Sequence, residues 1–359
     1  MTSEMFAVIM AGGRGTRFWP LSRRNRAKQF LRIAPGGTLI QSTVARIQPL
    51  LPADRILVVL GEDQLDEAAR QLPGLPPENF VVEPVGRNTA PAIALASMVV
   101  SDRDPDGVMV VLPADHLIGD EADFRGVLAA AGEAACKSSV LVVLGIRPTG
   151  PDTGFGYIEV GEMWAEESGR SIHRVGRFVE KPTRERAEKY VEEGFLWNSG
   201  MFVWRASIIR DQIAMHLPEL QSTLDGIWNT APGSGRSEKI REVYPELDAV
   251  SIDYGVMEKS ADTVVIPCQF GWNDVGSWSA LASVWKKDEQ GNAVRGQVVT
   301  MGAKRCVVST DDRLVALVDV EDVIVVDTPD AILVCRSTSD QKLRDLVNLL
   351  QVSSLDRYL

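Results

Sequence analysis

The chain is poor in the residues that build metal and redox centres: its 359 residues include three histidines and four cysteines. Cys136, Cys268, Cys306 and Cys335 stand far apart and match no zinc or redox spacing. They read as reduced, buried residues of a cytoplasmic protein, and they argue against a structural metal site. No apolar stretch reaches the roughly eighteen residues of a membrane span. Met1-Thr2-Ser3-Glu4 lacks the basic start of a signal peptide, and Phe6–Met10 is too short for its apolar core. Nor is there a basic excess. The formal net charge is −11, which argues against nucleic acid as the main partner. With 45% hydrophobic and 24% charged residues, the chain can bury one large domain and a small one, without extensive disorder.

What the chain does have is concentrated at its start. Phe6-Ala7-Val8-Ile9-Met10 is an apolar strand that runs into Ala11-Gly12-Gly13-Arg14-Gly15-Thr16-Arg17. The glycines let backbone N–H groups approach an anion closely. Arg14, Arg17, Arg23, Arg24, Arg26 and Lys28 follow with no acidic residue among positions 14–28, so they read as a local anion site. A phosphate chain is the expected ligand. The turn is not the dinucleotide fingerprint, because Phe18 stands where the last glycine is required. It is not a Walker loop either, since no Gly-Lys-Ser/Thr follows at that spacing.

Further along, apolar runs at Phe6–Met10, Ile56–Leu60, Val108–Leu112 and Val140–Gly145 alternate with helical patterns at 39–51, 64–71, 90–100 and 124–136. This alternation predicts an α/β fold on a largely parallel sheet, with ligands at the carboxyl ends of the strands. Residues 151–286 mix strands (157–160, 175–179, 201–204) with helices (184–193, 207–216), and the polar stretches 162–171 and 226–237 read as surface loops. From about Asn292, short strands recur every 8–10 residues, either as β-helical coils or as a sandwich. Asp340 reads as the N-cap of a last helix whose stripe is Leu343, Leu346, Val347 and Leu350.

The full segment Ala11–Ser22, with Phe18-Trp19-Pro20 and Lys28-Gln29-Phe30-Leu31, resembles the sugar-1-phosphate nucleotidyltransferases, and within them the mannose-1-phosphate guanylyltransferases. The resemblance spans nearly the whole chain. It implies a Rossmann-like catalytic domain at 1–286 with a mixed, mainly parallel sheet. It also implies a small, left-handed β-helix-like domain at 287–359, with no room for the isomerase domain of longer relatives. A homodimer is compatible with such a domain.

Nucleotidyl transfer requires cations to align two repelling anions and a metal held by carboxylates. The buried run 108–112 ends in Pro113-Ala114-Asp115-His116, and Gly271-Trp272-Asn273-Asp274 forms a second acidic turn. By themselves both aspartates could be turn residues; the resemblance implies that Asp115 and Asp274 share Mg²⁺, with His116 either assisting or ordering the loop. It further implies Arg17 and Lys28 on the triphosphate, and Ala11, Gly12, Gly13, Arg14, Gly15 and Thr16 around the nucleotide. Lys181 in Phe178-Val179-Glu180-Lys181-Pro182 falls on the sugar phosphate, and Gly156, Glu180 and Asn198 on the sugar. Glu83-Pro84-Val85-Gly86-Arg87-Asn88-Thr89-Ala90-Pro91 resembles the guanylyltransferase form, which places Arg87, Asn88 and Thr89 near the base. Read bare, Asn88 or Thr89 is a helix N-cap. The implied reaction joins GTP and α-D-mannose 1-phosphate into GDP-mannose and pyrophosphate. Alternatives are another sugar 1-phosphate, such as a heptose phosphate, or a non-catalytic nucleotide-sugar sensor.

Overall fold

A computed structural model describes residues 4–13, 15–33, 36–230 and 234–359. Arg14 lies outside them, as does the side chain of Asp340. The strands of the large unit are β1 (Met5–Met10), β2 (Ile56–Gly61), β3 (Phe80–Glu83), β4 (Val108–Pro113), the short β5 (Leu117–Ile118) and β6 (Leu141–Ile146). They continue with β7 (Tyr157–Glu167), β8 (Arg170–Val179), β9 (Leu196–Arg205), β10 (Thr263–Cys268) and the short β11 (Trp272–Asn273). Nine of these form one sheet, ordered β3-β2-β1-β4-β9-β6-β10-β8-β7. Only β8 and β9 run against the common direction. β7 also pairs with β9, so the far half of the sheet curls back on itself.

Successive side chains of β1 enter opposite cores. Ala7 and Ile9 pack on one side with Ile40, Val44, Leu128 and Ala131, while Phe6 and Val8 pack on the other with Ile93, Ala94, Ile209 and Ile213. A strand covered on both faces must be apolar at every position, which is why these runs are legible in the sequence.

Two expected loops are regular structure. Residues 162–171 are the far end of the β7–β8 hairpin, closed by Ser168 and Gly169 at φ 47° and 73°. Both central residues are left-handed, as a tight hairpin requires. Polar residues there face solvent on an edge hairpin, so polarity could not separate strand from loop. Within 226–237, the helix Pro218–Thr230 continues through Gly226 on the buried stripe Leu220, Leu224 and Ile227, and a second helix spans Ser234–Val243. The last helix is Leu343–Val352, with Lys342 and not Asp340 at its N-cap position.

The C-terminal strands are β12 (Ala293–Arg295), β13 (Val298–Met301), β14 (Val307–Ser309), β15 (Val315–Val318), β16 (Val323–Asp327) and β17 (Ile332–Arg336). Ala293 lies beside Val307 and Val307 beside Ile324, both in parallel register, and Val298 lies beside Val315. These are stacked coils, not a sandwich. Cys268 and Cys306 are buried, whereas Cys136 and Cys335 are only half-buried. Among the described residues, no helix is long and apolar enough to cross a membrane.

The two units share a core. Phe18, Trp19, Leu31, Leu39 and Trp278 pack against Ala293, Val307, Ile324, Leu333 and Leu343. Trp19 Nε1 donates across the junction to the carbonyl of Tyr358 at 2.7 Å, while within the large unit Trp285 Nε1 donates to that of Ile33 at 2.8 Å. This contact divides the basic cluster expected at 14–28. Arg23 pairs with Asp330 at 2.8 Å and Arg24 with Asp356 at 3.2 Å, so both are engaged by carboxylates of the C-terminal unit and not turned toward the glycine-rich loop with Arg17 and Lys28. Their charges were read together with Arg17 and Lys28 because the sequence brings them close; the chain turns them apart.

Candidate active site

β2 and β4 flank β1, and the chain leaves them in opposite directions across the sheet. A crevice opens at such a switch point, beyond the carboxyl ends of the strands. The glycine-rich loop leaves β1 there. Ala11 is buried, with its N–H on the Val59 carbonyl (2.7 Å) and its own carbonyl accepting from the Gln29 amide. Gly12 and Gly13 are exposed. Gly15 turns at φ 61°, and a Cβ on it would fall 2.2 Å from Lys28 Cβ. Only glycine lets the loop lie on Lys28. Thr16 and Arg17 then open a short 3-10 turn, Thr16–Phe18.

Lys28 is the knot of the site. Its buried ammonium donates to Asp115 Oδ2 at 2.8 Å and to the Asp274 carbonyl at 2.7 Å. Asp115 follows β4, while Asp274 follows β11, and β11 pairs with β5 just beyond Asp115. That pairing, with Trp272 opposite Ile118, holds the two acidic turns face to face. Gly276 N donates to Asp274 Oδ1 at 3.2 Å, and Arg17 Nη1 donates to the Gly276 carbonyl at 3.0 Å. Arg17, Lys28, Asp115 and Asp274 therefore form one cluster. Burial works to raise the Asp115 carboxyl, but the charge and hydrogen bond of Lys28 outweigh it and hold it below the usual range. Burial raises Asp274, reinforced by the charge of Asp115 against the opposing pull of Lys28. His116 Nδ1 accepts from Trp272 Nε1 at 3.1 Å, and burial pushes its ring down to about 4. A neutral imidazole serving as that acceptor orders the loop.

A second cluster gathers at β7, β8 and β9. A Cβ on Gly156 would lie 2.4 Å from Glu180 Oε2 and 3.2 Å from Asn198 Cβ, so glycine admits both side chains. Asn198 N donates to the Gly156 carbonyl at 2.8 Å. Lys181, at φ 45°, pairs with Glu180 Oε1 at 2.8 Å. Burial works against its ammonium, yet Glu180 raises it above its ordinary value. An aromatic wall joins this cluster to the first: Phe155 packs on both Trp197 and Trp272 with ring centroids 5.0 and 5.1 Å apart, and Trp272 packs on His116.

The third group sits at the start of helix Thr89–Arg103. Asn88 is its N-cap, accepting from Thr89 N at 2.9 Å. Arg87 N–H donates to the carboxyl of Glu83, which ends β3 and also accepts from Tyr244 Oη at 2.6 Å. Burial raises Glu83. Glu83 Oε2 lies 3.4 Å from where Gly12 would carry a Cβ, so this group borders the glycine-rich loop.

Asp253 is the site residue that sequence reasoning missed. It opens a π-helical turn, Asp253–Met257, and its Oδ1 accepts from Asn198 Nδ2 at 2.8 Å. Such turns often mark functional segments, but nothing in Ser251-Ile252-Asp253-Tyr254-Gly255 signals one locally. Burial, and then the charge of Glu180, push this carboxyl up to about 6. A carboxyl raised in the fold costs stability as pH climbs from its unfolded value through the folded one. Asp253→Asn is therefore expected to be more stable than the parent at pH 7.5, with the difference shrinking at pH 5. Urea unfolding at the two pH values measures this; a difference that stays constant would refute the assignment.

Comparison with known proteins identifies the family to which the chain is related. The family model for the nucleotidyl transferases matches residues 6–291, and one described as a MannoseP isomerase/GMP-like beta-helix domain matches 296–350. A mannose-1-phosphate guanylyltransferase of Klebsiella pneumoniae is 39% identical over 358 residues, which cover 99% of this chain and 75% of that protein. The xanthan biosynthesis protein XanB of Xanthomonas campestris pv. campestris (strain B100) is 39% identical over 359 residues, 99% of this chain and 74% of its own length. A crystal structure from Thermus thermophilus, described as a mannose-1-phosphate geranyltransferase, superposes with a TM-score of 0.88 at 35% identity, covering 97% of this chain and 99% of that one. The chain belongs to the nucleotidyl transferase family, among the mannose-1-phosphate guanylyltransferases.

Proposed function

We propose that this crevice transfers GMP from GTP to α-D-mannose 1-phosphate, releasing pyrophosphate. The observation that carries the reading is the Lys28 knot: two aspartates from different loops drawn together under a glycine-rich turn, beside a second cluster that carries Lys181. Enzymes of this class must bring two anions together and offset the charge that builds on pyrophosphate as it leaves in line. The glycine-rich loop and Arg17 would hold the triphosphate. Lys28 uses two of its three N–H donors within the protein and keeps one for a phosphate oxygen. Arg87, Asn88 and Thr89 would lie near the base, and Gly156, Glu180 and Asn198 around the sugar.

Asp115 Oδ1 and Asp274 Oδ2 are not engaged by Lys28 or by the Gly276 N–H. Two hard oxygen donors, with no nitrogen or sulfur, suit Mg²⁺, which completes its shell with water and phosphate oxygens. Among the described residues no group of three or more His, Cys, Asp or Glu gathers around a point, so these two carboxylates would be its protein ligands. Bound there, Mg²⁺ would supply charge neutralisation at the triphosphate. We read residues 1–286 as the catalytic unit and 287–359 as its support, in keeping with the 6–291 and 296–350 matches.

The decisive assay is pyrophosphate release with each nucleoside triphosphate against a panel of sugar 1-phosphates. GTP with mannose 1-phosphate should be the preferred pair; a clear preference for a heptose phosphate or another nucleotide would overturn the reading. A narrower test separates the two cationic sites. Lys181→Ala is expected to raise KM for mannose 1-phosphate by about tenfold or more, as for loss of a charge-assisted contact. GTP binding by calorimetry should stay close to the parent value. If GTP affinity collapses instead, Lys181 serves the other substrate.

A further inference from the structure

Residues 250–258 touch both halves of the crevice. On the nucleotide side, Ala90 N donates to the Val250 carbonyl at 3.0 Å, and Ile252 N donates to Thr89 Oγ1 at 2.8 Å. On the sugar side, Asp253 Oδ1 accepts from Asn198 Nδ2 at 2.8 Å, and Glu258 Oε1 accepts from Glu180 N at 3.0 Å. Between these anchors Gly255, Val256 and Met257 are buried, and a Cβ on Gly255 would sit 2.9 Å from Leu217 Cδ1. A close-packed turn of this kind passes a displacement on and does not absorb it.

Asp253 also fixes which way Asn198 faces. Asn198 Oδ1 already accepts from Gly200 N at 2.9 Å, and the acceptor on Asp253 claims one amide N–H on the opposite edge. The other amide N–H and one lone pair remain for a ligand hydroxyl.

We propose that residues 250–258 are a clasp that couples nucleotide binding to sugar-phosphate binding, with Asp253 as the residue that positions the Asn198 amide. This rests on reading Gly156, Glu180 and Asn198 as the sugar subsite. A nucleotide that orders the start of helix Thr89–Arg103 sets Ile252 through Thr89, and the turn then sets Asn198 and Glu180. Because such coupling is reciprocal, mannose 1-phosphate tightens the nucleotide by the same factor.

The test is calorimetric titration of mannose 1-phosphate with and without a GTP analogue carrying an α,β-methylene bridge, which blocks turnover. In the parent protein the analogue should tighten the sugar phosphate by about tenfold, within the usual range of coupling between sites. Asp253→Ala should weaken the sugar phosphate alone by roughly tenfold, as for loss of a buried hydrogen bond, and bring the coupling factor near one. Asp253→Asn keeps the acceptor and should restore both. Thr89→Val should lose the coupling and Thr89→Ser should keep it, which a general loss of stability would not reproduce. A parent coupling factor within twofold of one, or coupling retained in both Asp253→Ala and Thr89→Val, overturns the clasp. Glu180→Gln tells the two failures apart. If it leaves mannose 1-phosphate affinity unchanged, the sugar subsite itself is wrongly placed and the proposal falls with it. If it weakens that affinity while the clasp variants stay coupled, only the clasp is wrong.

Discussion

Asp115→Asn and Asp274→Asn are each expected to lower kcat by about 10²–10³, the usual effect of losing one preorganised electrostatic group, here a donor to the metal that would neutralise the reacting phosphates. Asparagine keeps the size and an acceptor oxygen. Lys28 can still donate to residue 115 and to the Asp274 carbonyl, and Gly276 N can still donate to residue 274. The fold should therefore survive, with circular dichroism and thermal midpoint close to the parent's. Stripping divalent cations with a chelator should abolish turnover in the parent and be reversed by adding Mg²⁺. The paired variant is the sharper measurement. Near-normal kcat with both asparagines in place would remove these carboxylates from any metal-binding role.

Removing residues 287–359 is the second large effect, and its target is the fold. Phe18, Trp19, Leu31, Leu39 and Trp278 all bury themselves partly against Ala293, Val307, Ile324, Leu333 and Leu343. Exposing a large apolar side chain costs roughly 1.5–3 kcal/mol, so four or five of them approach the ~5–15 kcal/mol that stabilises an ordinary domain. The loss also reaches the active site, because Phe18 and Trp19 continue directly from Arg17 and the glycine-rich loop. The shortened chain should be poorly soluble, and any soluble fraction should bind GTP weakly. Expression, sedimentation and GTP titration, measured together, decide this. A soluble truncation with the parent's thermal midpoint would show that the C-terminal unit is dispensable to the core.

The sequence by itself determined the elements whose causes are local. Strands β1, β2, β4 and β6 are buried on both faces, so each is an unbroken apolar run that needs no partner to be recognised. The turns that follow the first and third of these carry Gly15 and Asp115, residue types that suit an anion and a hard cation, at the strand ends where such groups collect. Gly156 and Asn198 were likewise visible as residues, although their contact with Glu180 was not. Tertiary structure alone decided the rest, because its causes lie far apart in the chain. The apparent cluster of six cations separated once Asp330 and Asp356 claimed Arg23 and Arg24. Asp253 gained its role from Asn198, fifty-five residues away, and Glu83 gained Tyr244 as a partner across one hundred and sixty-one residues. A lone carboxylate carries no local sign of the amide or phenol it will meet; burial and hydrogen bonding supply that identity only when the chain closes on itself.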